Sequence, residues 1–295
     1  MSYDESIVAG PDGRSLEVST LGDPTGITVV FHHGSPGAAN IIRYFEGIAN
    51  ERGLFVIGVS RPGYGASSRL EGRSVASVVP DVHTVLDAVG RTDYLSVGWS
   101  GGGPHSLACA ALGAPRCRAA WSLAGVVPID VDFDWTQGMG PENVEEFALA
   151  REGGPRYEES IAEAGRTFGA ASPENIIELF GGLLSPPDLA ALTDYESRSL
   201  LASTTVRGFA HGHWGFYDDD RAFLSPWGFD VASIGVPVSI WYGDQDLMVP
   251  ATHGDWLSAN VPGARVVHRA DEGHLSVVTN HFDQLADELV GAARA

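Results

Sequence analysis

Gly98-Trp99-Ser100-Gly101-Gly102 stands between an apolar run at 94–97 and a stretch of helical character at 101–112. A G-x-S-x-G element that closes a strand and opens a helix forces a sharp turn, so small residues must flank the serine. Such a turn lifts the hydroxyl clear of the sheet at a helix N-terminus, where the Gly101 N–H faces a developing oxyanion. The competing reading is a glycine-rich strand-to-helix turn that grips a phosphate. Two features weigh against it: the G-x-G-x-x-G spacing is missing, and all 18 basic residues of the chain are arginine, so no P-loop lysine exists.

Outward from this element, β-rich runs alternate with helical patterns. Residues 16–21, 27–32, 54–59 and 119–123 read as strands. Residues 41–52 and 75–89 carry helical apolar spacing, the latter at Val75, Val78, Val79, Val82, Val85, Leu86 and Val89. This alternation predicts an α/β fold, a mostly parallel sheet flanked by helices. From 127 to 225 it stops, and segments opened by proline at 141–151, 155–168 and 173–180 read as short helices. Alternation resumes with a strand at 236–242, a segment at 251–261, a strand at 265–268 and a helix at 282–293. The expected organisation is a core domain of residues 1–126 and 226–295 with a helical insertion at 127–225.

The chain has 295 residues and a formal charge of −20 at pH 7, from 38 Asp plus Glu against 18 Arg. The insertion holds 18 acids and 6 arginines and so carries −12 of that charge. Without basic clusters, a duplex nucleic acid or an anionic membrane is not an expected partner. The absence of lysine excludes Schiff-base and pyridoxal chemistry on a lysine. Cys109 and Cys117 supply neither a disulfide framework nor a complete zinc site, which predicts a reducing, cytoplasmic setting. Residues 1–10 lack a basic and apolar leader pattern, and no run approaches the roughly 18 apolar residues of a membrane span.

A serine needs a base to take its proton and a carboxylate to orient that base. Asp246 follows the strand at 236–242, and His274 follows the strand at 265–268, so both lie where an open parallel sheet places its site. Asp244 competes with Asp246 for the carboxylate role. After the strand at 27–32 comes His33-Gly34-Ser35-Pro36-Gly37, a turn whose Ser35 N–H is the candidate second oxyanion donor beside Gly101. In the insertion, His211-Gly212-His213-Trp214-Gly215-Phe216-Tyr217 precedes Asp218, Asp219 and Asp220. It reads as core packing, as a pocket wall built on Trp214, or as a metal site, for which an i, i+2 histidine pair is poorly aimed. No metal is expected.

With these motifs in hand, the chain resembles the α/β-hydrolase fold enzymes with a helical cap. His33-Gly34-Ser35-Pro36 resembles their H-G-x-P loop, Arg61-Pro62-Gly63-Tyr64-Gly65 their R-G-x-G turn, Gly98–Gly102 their nucleophile elbow, Gly243–Asp246 their G-x-x-D acid loop and Gly273-His274 their histidine loop. Ser60 stands where many members carry Asp. The order Ser100, Asp246, His274 is the order of that fold. The resemblance implies a serine hydrolase that needs no cofactor, with a cap at 127–225 and a small-molecule substrate contacted by His33, Trp99 and Trp214. Ser100 argues against the dehalogenases and epoxide hydrolases of the fold, which use Asp at the elbow. A carboxylic ester or related acyl bond is the leading expectation. A C–C hydrolase, a proline iminopeptidase-like aminopeptidase and a non-catalytic ligand-binding protein remain alternatives.

Overall fold

Eight strands form one sheet in a computed structural model that describes residues 3–294. They are β1 (Asp4–Ala9), β2 (Ser15–Gly22), β3 (Ile27–His32), β4 (Leu54–Val59), β5 (Tyr94–Trp99), β6 (Cys117–Leu123), β7 (Val238–Gly243) and β8 (Arg265–Arg269), in the order β1-β2-β4-β3-β5-β6-β7-β8. β1 pairs with β2 and β2 with β4 antiparallel; every other pair is parallel. Burial on both faces explains the near-continuous apolar runs of β3, β4 and β5.

Alternation along the strands divides the interior. Val30, Phe55 and Ile57 point into one cluster with helices α2 (Val78–Ala88), α3 (Gly103–Leu112) and α10 (Ala251–Asn260). Val29, Phe31, Leu54 and Val56 point to the other face, where Ala49 of α1 (Ile48–Arg52) and Leu285 and Leu289 of α12 (Phe282–Ala293) cover them. A short helix, α11 (Ser276–Thr279), follows β8. Between β6 and β7 the chain is helical: α4 (Pro141–Glu152), α5 (Gly154–Phe168), α6 (Ile176–Phe180), α7 (Pro186–Ala191), α8 (Tyr195–Gly208) and α9 (Trp214–Phe223). Their apolar residues Phe147, Leu201 and Phe223 join the sheet-face core, and Tyr157, Ile161 and Phe216 form a smaller cluster with Tyr64. None of the helices among the described residues is long and apolar enough to cross a membrane.

Three local differences from expectation have physical causes. β1 carries no apolar alternation because it is an exposed edge strand, held by its ladder to β2 rather than by burial. The helix expected at 41–52 is a 3-10 segment, Ala39–Phe45, and then α1, separated at Gly47, whose φ of 92° no helix accommodates. The helix expected at 75–89 opens as a 3-10 turn, Val75–Ser77, capped reciprocally by Ser74 and Ser77.

Parallel pairing carries the loops after β3, β5, β7 and β8 to one edge. There the turn from β5 into α3 is closed by contacts that exclude side chains. A Cβ on Gly98 would stand 2.0 Å from the Gly102 carbonyl oxygen, and one on Gly102 would stand 2.1 Å from that of His32. Gly98→Ala is therefore expected to lose about 1–3 kcal/mol of stability through forced backbone displacement, measured as a lower urea midpoint with unchanged m-value.

Candidate active site

Ser100 sits on that turn with φ of 57°, a left-handed conformation rare for a residue with a Cβ. Its side chain is partly exposed. A Cβ on Gly34 would lie 3.4 Å from the Ser100 Cβ, and one on Gly101 would lie 2.4 Å from Ser35 Oγ, so the loop after β3 packs directly on the turn. The Gly101 N–H belongs to the first turn of a helix, where leading N–H groups have no intrahelical acceptor. Among the described residues nothing accepts from the Ser35 N–H.

Asp246 and His274 meet at the ends of β7 and β8, both buried. His274 Nδ1 donates to Asp246 Oδ2 at 2.8 Å, and Asp246 Oδ1 accepts from the Met248 and Val249 N–H groups, each at 2.8 Å. Burial pulls the His274 pKa down. The Asp246 carboxylate, its hydrogen bond and the charge of Asp188 outweigh that and hold it above the ordinary 6.5. Asp244, the competing carboxylate, instead faces out and accepts from His268 Nε2 at 2.6 Å. Among the described residues no hydrogen bond joins Ser100 to His274.

A buried polar network that the sequence did not disclose lies beneath the Ser35 loop. Arg61 donates to the His33 and Gly34 carbonyl oxygens and, through Nη2, to Ser35 Oγ at 2.9 Å. Asp219 of α9 accepts from Arg61 Nη2 at 2.7 Å, Arg73 Nη1 at 2.6 Å, Tyr64 Oη at 2.9 Å and Ser35 Oγ. Burial would push the Asp219 carboxyl up, but Arg61 and Arg73 hold it well below the usual carboxylate range. His33 is enclosed here too: Nδ1 donates to the Gly34 carbonyl and Nε2 accepts from the Arg61 N–H, a neutral tautomer in keeping with a pKa driven well below 6.5 by burial and Arg61.

A cavity of about 280 Å³ opens over Ser100, Gly101 and Ser35. Val126, Phe147, Ile161, Phe180, Phe216 and Phe223 give it apolar walls, and Glu142, Glu145, Glu146 and Asp220 give it acidic ones. Burial pushes the Glu146 carboxyl up to about 8, and burial with Glu146 alongside holds Asp220 well above the ordinary 3.8. Tyr157 Oη donates to Asp220 at 2.8 Å.

The three expected substrate contacts lie elsewhere. His33 is sealed into the network below the loop. Trp99 donates from Nε1 to the His274 carbonyl at 3.1 Å and faces a small apolar pocket with Phe31 and Phe282. Trp214, the first residue of α9, stacks under the Arg69 guanidinium at 3.7 Å; helical rotation turns Phe216, Asp220 and Phe223 inward in its place. His211 Nδ1 donates to the Gly65 carbonyl, Asp218 pairs with Arg69, and among the described residues no cluster of three or more metal-ligating side chains forms.

A family model described as the alpha/beta hydrolase fold matches residues 27–147. The protein has the α/β-hydrolase fold. A bromoperoxidase from Bacillus anthracis matches at 19% identity and TM-score 0.72, over 99% of this chain and 100% of that one. The esterase RhEst1 from Rhodococcus sp. ECU1013 matches at 20% and 0.68, over 99% of each chain. An alpha/beta hydrolase fold protein from Nakamurella multipartita matches at 22% and 0.66, over 98% of this chain and all of that one. No curated protein matches.

Within this hydrolase fold, the role of Asp219 had one legible signal. Successive helical residues are about 100° apart, so Asp218-Asp219-Asp220 spans too wide an arc for all three to face water. Asp219→Ala would leave Arg61 and Arg73 buried without their counter-charge and is expected to cost about 3–5 kcal/mol, read from urea unfolding at pH 7. Because the folded state depresses this carboxyl, its stabilisation is complete above the ordinary 3.8 and is lost only as pH falls below it.

Proposed function

We propose that the protein is a serine hydrolase that cleaves a small-molecule carboxylic ester or a related acyl bond through an acyl-enzyme. The observation that carries this reading is Ser100 held at φ of 57° against the Ser35 loop, at the same sheet edge as the His274–Asp246 pair and on the floor of a largely apolar cavity. Ser100 Oγ attacks the carbonyl carbon while His274 Nε2, the ring nitrogen not engaged by Asp246, takes its proton. The Gly101 and Ser35 N–H groups bind the oxyanion of the tetrahedral intermediate. His274 then returns the proton to the leaving oxygen as its bond to carbon breaks. Water, deprotonated by the same imidazole, hydrolyses the Ser100 ester and restores both side chains.

Ser100→Ala is expected to lower kcat on p-nitrophenyl butyrate by about 10⁶-fold, and a fluorophosphonate adduct should map to Ser100 by mass spectrometry. A variant with undiminished rate, or an adduct elsewhere, removes the assignment. A chain that binds esters without cleaving them is a ligand-binding member of the fold. His274 must be neutral to accept a proton, so the acid limb of kcat/KM is expected above the ordinary 6.5, and Asp246→Asn should move it down.

A second reading has its own support. The cavity walls carry Glu142, Glu145, Glu146 and Asp220, and none of the described residues that line it is basic. Those walls favour an acyl group bearing a cationic amine, as an aminopeptidase-like hydrolase of this fold would take. Aminoacyl esters and p-nitroanilides should then be hydrolysed with a lower KM than neutral acyl analogues of equal size. For an acyl group whose amine stays cationic through this range, such as 6-aminohexanoyl with an alkyl amine pKa of about 10, the preference should grow as pH rises toward 8 and Glu146 ionises, and Glu146→Gln should erase it. Equal KM values for cationic and neutral substrates at pH 8.5 would leave the plain esterase reading.

A further inference from the structure

Asp188 opens α7, within the helical stretch between β6 and β7, yet its side chain is fully buried under the loop that carries His274. Oδ1 accepts from the Leu275 N–H at 2.8 Å and the Ser276 N–H at 3.0 Å. Oδ2 accepts from the His274 N–H at 3.0 Å and from Ser185 Oγ at 2.8 Å. The Leu275 and Ser276 groups open α11 and have no acceptor inside their own helix, and the His274 N–H stands just before it. The acceptor comes from a segment 86 residues earlier in the chain. A carboxylate suits all four contacts, since each of its oxygens accepts and neither donates.

The approach leaves no room at the residue before His274. A Cβ on Gly273 would stand 2.2 Å from Ser185 Oγ and 2.4 Å from Asp188 Oδ2. Gly273 in turn donates its N–H to Ser276 Oγ at 2.7 Å, closing the loop from its other side. The imidazole itself is held by Asp246 at Nδ1 and lies 5.3 Å, centroid to centroid, from the Trp99 ring. Asp246 therefore fixes the ring, while Asp188 fixes the backbone from which the ring projects.

We propose that Asp188 is a positioning residue for His274, through which the helices between β6 and β7 set the place of the imidazole. This rests on the serine-hydrolase reading for its catalytic consequence, though not for its physical effect. The charged groups facing His274 are Asp246, from the loop after β7, and Asp188, from α7; both favour the protonated ring. Neutralising Asp188 removes one of the two and replaces one carboxylate oxygen with an NH2 that cannot accept, so either the His274 N–H or the Leu275 and Ser276 N–H groups lose their acceptor.

The test is Asp188→Asn in the full chain labelled with ¹³C-histidine, the His274 signal being assigned by its loss in His274→Gln. The expected result is a downward shift of the His274 pKa, a matching shift of the acid limb of kcat/KM, and a fall in kcat of about a hundredfold from misplacement, with KM little changed. Gly273→Ala, which attacks the same contact from the opposite side, should lower kcat likewise. Glu288→Gln controls for stability alone, because Glu288 is half-buried and binds Trp121 and Arg265 away from this loop; it should lower the melting temperature and leave the His274 titration unmoved. A wild-type His274 titration in Asp188→Asn overturns the proposal even if Ser100→Ala is inactive. An active Ser100→Ala removes the hydrolase reading, while the titration still decides the role of Asp188.

Discussion

The closest constraint in the molecule is the backbone contact at the end of β5. Gly98 lies against the Gly102 carbonyl, and Gly102 lies against that of His32 at the end of β3. Only residues without a Cβ allow the chain to reverse from strand to helix within so little space. The reversal drives Ser100 to positive φ and turns its hydroxyl outward, while the same contact draws the Ser35 loop against Gly101. One steric requirement thus places the candidate nucleophile and both candidate oxyanion donors together, before any hydrogen bond between them is considered.

Electrostatics then determines how rigidly the surrounding loops are held. A chain of net charge −20 buries Asp188, Asp219 and Asp246, and each burial is compensated differently. Asp219 meets two guanidinium groups, Asp246 meets an imidazole and two backbone N–H groups, and Asp188 meets three backbone N–H groups and a hydroxyl. A buried carboxylate without such partners would be far too costly to retain. Two of the three come from the helices between β6 and β7. Those helices therefore contribute to the floor of the site as well as to the walls above it.

The cavity shows the opposite arrangement. Glu146 and Asp220 face each other's charge, no ion pair among the described residues neutralises either, and burial outweighs the more distant charge of Arg73, so their carboxyls are held toward the protonated form. Such a pair lowers its own free energy by sharing a proton or by receiving a cation. That property distinguishes this cavity from a purely apolar acyl pocket and is the physical basis of the proposal that it takes an amine-bearing acyl group.

Much of this was legible in the chain itself. Near-continuous apolar runs located β3 and β4, and helical apolar spacing located α12, because faces buried on both sides of a sheet, or along one side of a helix, demand apolar residues at those positions. The elbow was legible because its glycines answer a local steric need, and Asp246 and His274 because each follows a strand whose end must reach the same edge. Edge strand β1 was not legible, since it is held by backbone hydrogen bonds that any side chain permits. Nor were the pocket residues: the choice of Phe216, Asp220 and Phe223 over Trp214 depends on how α9 is rotated against the sheet. Local rules of turn, period and strand order were written in the sequence. Which buried acid meets which arginine, imidazole or N–H across 28 to 158 residues of chain was decided by tertiary packing, because only the folded state sets the dielectric and the distances that select those partners.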